Sequence, residues 1–121
     1  MSKKHKKIKI PIYGRQLRIV ICDNIQTGLK KLGLEVFDGE EVEASVVEDQ
    51  DGVINLVISP DADINTICHE SFHITNGILD DAGMKLCDNS EEAYAYLIGW
   101  VSEIVHNELT NHKNKCGHYI K

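Results

Sequence analysis

VINLVISPDADINTICHESFHITNGILDDAG, residues Val53 to Gly83, passes from a β-branched run directly into a segment with helical spacing, and this junction decides the fold class. Val53 to Ile58 reads as a strand. Ser59-Pro60-Asp61 ends it, and Asp63 is placed to cap a helix that begins at Ile64. Within that helix Ile64, Cys68, Phe72, Thr75 and Leu79 form one stripe, broadened by Ile67, Ile74 and Ile78. Thr66, His69, His73, Asn76 and Asp80 line up on a separate, polar face. The periodicity lasts to about Ala82, and Gly83 stands where a left-handed residue closes a helix.

Working outward, Val42 to Val47 is a second β-branched run, joined to the first by the acidic, glycine-containing turn Glu48 to Gly52, so the two are expected to form a hairpin. Lys7 to Tyr13 and Gln16 to Asp23, around Gly14-Arg15, read as a short hairpin or one kinked strand. Between these β regions, Ile25, Leu29 and Leu32 have the spacing of a short helix, capped by Asp23 or Asn24, stopped by Gly33, and covering one face of the sheet. Downstream, Asp88, Asn89 or Ser90 can cap a second long helix with a stripe of Ala93, Leu97, Val101, Ile104 and Leu109. The expected fold is α+β: a mixed or antiparallel sheet of three or four strands with one short and two long helices. A chain of 121 residues suits a single domain, with residues 1–7 a frayed basic terminus and 111–121 a polar tail.

Apolar residues at 42% and charged residues at 26% are the balance of a globular chain, and a net charge of −6 is the wrong sign for coating nucleic acid. The basic start leads into Ile8, Ile10 and Ile12 alternating with polar or proline positions, which is not a secretory h-region, and no apolar run approaches a membrane span. A cytoplasmic protein without membrane or nucleic-acid partners is expected. Cys22, Cys68, Cys87 and Cys116 are widely spaced and form no CxxC pair, so free thiols are expected, with Cys68 a small core residue.

The polar face of the Ile64 helix carries the chemistry. His69-Glu70-Ser71-Phe72-His73 is an HExxH pattern, in which residues i and i+4 share a face and both imidazoles can reach one metal ion. Glu70 lies about 100° round the helix from His69, poorly placed as a ligand but well placed beside water activated by zinc, whose proton it can take and pass to a leaving amine. A catalytic zinc needs a third protein ligand. Glu92 at the head of the second long helix is the candidate, with Glu91 the runner-up; the alternative role for this acidic pair is complementing the helix N-terminus. Tyr96, one turn after Glu92, is a candidate hydrogen-bond donor to a developing oxyanion, the alternative for it and for Tyr94 being aromatic packing. Asn76 and Asp80 can orient the imidazoles or simply be solvated. His106, His112, Cys116 and His118 offer further ligand types without a recognisable zinc spacing.

His69-Glu70-Ser71-Phe72-His73 followed by Ser90-Glu91-Glu92-Ala93-Tyr94 resembles the gluzincin arrangement and is similar to small metallopeptidase-like proteins encoded by phages and prophages. In ImmA/IrrE-type relatives the second helix often carries Glu-x-x-Ala followed by Asn or Asp; here Ser90 and Tyr94 stand at the first and last of those places. The resemblance implies a reduced zincin: Zn2+ held by His69, His73 and Glu92, Glu70 as general base, and a peptide or protein substrate. It also implies that the strand before the active-site helix, Val53 to Ile58, forms the sheet edge that binds extended substrate. Other readings of the same residues are a zinc-binding regulatory or interaction module without catalysis, and a nucleic-acid-associated protein using the lysine-rich start, against which the acidic charge counts.

Overall fold

The computed structural model describes residues 6–34 and 43–115. The fold is α+β, with β1 (Lys7–Lys9), β2 (Gln16–Ile21), α1 (Ile25–Lys31), β3 (Ala44–Glu48), β4 (Ile54–Ile58), α2 (Ile64–Asp81) and α3 (Glu91–Lys115) in chain order. The chain divides into two compact units, Met1–Ala62 and Asp63–Lys121, where the sequence reading takes it as one domain.

In the first unit the four strands form one mixed sheet of order β1-β2-β4-β3. The outer pairs are antiparallel, and β2 and β4 run parallel with Leu17 opposite Ile54 and Ile21 opposite Ile58. The segment around Gly14-Arg15 is therefore a hairpin and not one kinked strand, with the Ile10 N–H donating to the Arg15 carbonyl across the turn. β4 is not the sheet edge. It is paired on both sides, between β2 and β3, and all five of its residues are buried. The reason lies in its composition: a near-continuous apolar run is the pattern of a strand covered on both faces, whereas β3, with polar Ser45 and Glu48 among its residues, takes the edge.

Asn55 interrupts the apolar run of β4, and its polar atoms are accounted for. Its Nδ2 donates to the Val47 and Val53 carbonyls and to Asp49 Oδ2, and its Oδ1 accepts from Arg18 Nη1 at 2.9 Å. Asp49 in turn accepts the Asp51 and Val53 N–H groups on Oδ1, and Arg15 pairs with Glu48 at 2.9 Å, so the acidic turn is tied down to β2 by two arginines. On the same face α1 covers Val20 and Val57 with Ile25 and Leu29. Asn24 is its cap, accepting the Thr27 N–H on Oδ1 at 2.9 Å.

In the second unit Asp63 Oδ1 caps α2 by accepting the Thr66 N–H at 2.9 Å. The helix ends in a Schellman turn: the Gly83 N–H donates to Asp80 and the Met84 N–H to Leu79, with Gly83 at φ 84, which a residue without Cβ adopts freely. α3 packs against α2. The buried stripe of α2 is Ile67, Ser71, Ile74, Thr75, Ile78 and Leu79, while Ile64, Cys68 and Phe72 are exposed. Cys68 is thus not a core residue; the stripe is centred on the Ile67-Ser71-Ile74-Ile78 line, which puts Cys68 on its rim. On α3 Leu97, Val101 and Leu109 are buried as expected, joined by Tyr94 and Val105, with Ala93 and Ile104 half-buried beside them. Ser90 precedes α3 and accepts the Tyr94 N–H on its carbonyl, but its hydroxyl turns back to the Lys85 carbonyl and the Cys87 N–H.

Lys7 opens β1, as the β reading of Lys7 to Tyr13 has it, and residues 111–115, expected as tail, continue α3. The remainder of both termini and Val42 lie outside the described residues. Cys22, Cys68 and Cys87 are free thiols; Cys116 lies outside the described residues. Among the described residues no helix is long and apolar enough to cross a membrane.

Candidate functional site

α2 presents His69 and His73 one turn apart on its exposed side, opposite the buried stripe. Their ring centroids are 4.8 Å apart and the rings are inclined at 69°. Two imidazoles on one tetrahedral zinc, each with its nitrogen at ~2.0–2.1 Å, have centres roughly 5 Å apart, so the separation of this pair is compatible with shared ligation, while the rings here meet edge to face. Phe72 lies edge-on to His73 at 5.9 Å between ring centroids.

Glu70 stands between this exposed face and the buried stripe and is half-buried. Burial pushes its carboxyl above the ordinary carboxylate range, and the nearby His69 and His73 oppose that rise without cancelling it. A carboxyl of this kind, next to His69 in the chain, is suited to proton transfer.

The third position is different. Among the described residues no group of three His, Cys, Asp or Glu side chains is placed to hold a metal. The reason can be read from Tyr94, which is buried and donates its hydroxyl both to Asn76 Oδ1 and to the Met84 carbonyl, each at 3.3 Å. Tyr94 therefore marks the side of α3 that faces α2. Glu92 is two residues earlier, about 200° away round the helix, and Tyr96 is two residues later, also about 200° away. Both are exposed, Tyr96 to 61%. Glu91 is three residues before Tyr94 and so lies only about 60° from it, although it too is exposed.

Asn76 and Asp80 have partners other than the imidazoles. Asn76 accepts from Tyr94, and Asp80 pairs with Lys85 Nζ at 3.3 Å. His106 is exposed and His112 half-buried on α3, while Cys116 and His118 lie outside the described residues. The Tyr94 to Asn76 bond is the contact that the sequence reading did not anticipate. Its signal was available: a tyrosine on the buried line of a helix must find a partner for its hydroxyl, and Asn76 is a polar side chain of α2 within its reach.

No protein-family model, curated protein or solved structure matches this chain.

Proposed function

We propose that this protein is a zinc-dependent hydrolase of peptide bonds, with His69 and His73 as metal ligands and Glu70 as general base. One observation carries the reading: two imidazoles 4.8 Å apart on an open helix face, with a half-buried carboxyl beside them. A helix that only held a metal would have no use for that carboxyl. Zinc, when bound, would supply Lewis-acid activation of water and of the scissile carbonyl. His69 and His73 fix the position of the ion by presenting neutral ring nitrogens from a rigid helix. The Glu70 carboxylate accepts a proton from the attacking water on one oxygen and returns it to the amine nitrogen that leaves.

Of the acidic pair that opens α3, Glu92 is the candidate third ligand in this reading and Glu91 the runner-up, both being exposed. Tyr96, exposed on α3, is the candidate donor to the oxyanion in this reading. A peptide or protein substrate in the cytoplasm fits the free thiols of Cys22, Cys68 and Cys87, which an oxidising compartment would not preserve. A second reading, a zinc-binding interaction module without catalysis, is favoured by the lack of a third ligand beside the pair among the described residues.

The test is Glu70→Gln in protein purified without a histidine tag. The variant is expected to retain zinc at the wild-type level and to lose peptide hydrolysis by a factor of about 10² or more. Loss of zinc in Glu70→Gln would show Glu70 to be a ligand. Retained hydrolysis would remove it from the chemistry. In parallel, the larger loss of zinc between Glu91→Ala and Glu92→Ala identifies the third ligand.

A further inference from the structure

In the reading proposed above His69 and His73 supply two ligands of a zinc, and among the described residues no group of three His, Cys, Asp or Glu side chains is placed to complete such a site. Zinc fills four positions. The face that carries the pair is open along the helix: His69, His73, Asn76, Gly77 and Asp80 are all exposed. Gly77 offers no side chain there, and a Cβ built on it would meet no atom within 4 Å, so another helix can come close without a clash. Beside His73, Phe72 leaves apolar surface exposed to 38%.

We propose that a second copy of this chain completes the site, with zinc held by His69 and His73 of both copies across a two-fold axis through the metal. Such an interface is isologous: the same face of α2 meets itself, and each ligand supplied by one copy is matched by the other. Two ring nitrogens from each copy make the four-coordinate nitrogen set that a tetrahedral zinc takes. A four-histidine site is closed, so the dimer holds the metal without an open position for water. It is a storage or resting form, and hydrolysis belongs to the species in which an in-chain carboxylate replaces the second copy. The inference rests on the ligand half of the function proposed above, zinc binding by His69 and His73, and is independent of the role of Glu70.

The experiment is a zinc titration of the metal-stripped, untagged full chain, followed by sedimentation and by elemental analysis of the protein peak. The expected result is a doubling of mass that is complete at half a zinc per chain, is reversed by EDTA, and is absent in both His69→Ala and His73→Ala. Both histidines are exposed, and circular dichroism of the variants checks that the helices remain. A monomer that takes one zinc per chain would overturn the dimer and leave the in-chain reading standing. A dimer that persists in the histidine variants would overturn it as well. Failure of the wild type to bind zinc at all would sink both.

Discussion

At the scale of single residues, Asp49 and Glu70 are carboxylates pushed in opposite directions by their surroundings. Glu70 is raised because burial dominates. At Asp49 burial also raises the carboxyl, but the Asn55 amide, the Val53 and Asp51 N–H groups and the Arg18 guanidinium together outweigh it, and the carboxyl sits below its ordinary value of 3.8. A carboxyl depressed by folding contributes stability that is fully present above the unfolded value and is lost as pH falls through the folded one. Asp49→Asn is therefore expected to cost about 1–2 kcal/mol near neutrality, where it removes a charged acceptor from four donors. The difference in melting temperature between variant and wild type should then shrink as the pH is lowered from about 4 towards 2. A gap that stays constant over that window would mean that the carboxylate charge contributes nothing to the hairpin.

At the scale of elements, α1 depends on a missing side chain. Gly28 faces the sheet, and a Cβ there would stand 2.5 Å from Cys22 Sγ and 2.7 Å from Val57 Cγ1, both closer than packed atoms approach. Alanine elsewhere in an exposed helix interior gains about 1 kcal/mol over glycine, but here overpacking is expected to reverse the sign, with Gly28→Ala lowering stability by about 1–3 kcal/mol in urea unfolding. A stabilised variant would show that α1 can lift off the sheet without cost. This contact was not legible in the sequence, because Gly28 and Val57 meet only where α1 packs on the sheet, although the helix itself, a cap at Asp23 or Asn24 and the Gly33 stop were. The same division runs through α2. Its caps at Asp63 and Gly83 follow from local chemistry and were readable. The centre of its buried stripe was not, since choosing the most apolar letters points to Ile64, Cys68 and Phe72, whereas packing buries Ser71 beside the expected Thr75, and neither hydroxyl has a hydrogen-bond partner among the described residues. The histidine pair was readable because it depends only on helical spacing. The direction of Glu91 and Glu92 was not, because it depends on how α3 is rotated against α2, and that rotation is set by the buried line Tyr94, Leu97, Val101, Val105 and Leu109.

At the scale of the whole molecule, the zinc binding proposed above would be linked to folding stability, because only the folded chain holds His69 and His73 on one face. An unfolded chain presents two separated imidazoles, so zinc favours the native state by RT ln(1 + [Zn]/Kd), about 2.7 kcal/mol at one hundred times Kd. For a chain of 121 residues each kcal/mol moves the melting temperature by about 4 °C, which puts the expected rise at roughly 10 °C when zinc is added to metal-stripped protein. The two units allow the effect to be located. Trp100, the single tryptophan, lies on α3, so its fluorescence follows the unit that contains the histidines, while far-ultraviolet circular dichroism follows the helices and the sheet together. Zinc should raise the Trp100 transition by the full amount in the wild type and leave it unmoved in His69→Ala and His73→Ala. A rise of the same size in those variants would place the bound metal elsewhere in the chain. No rise in the wild type would mean that the pair on α2 does not hold zinc strongly enough to matter to the fold.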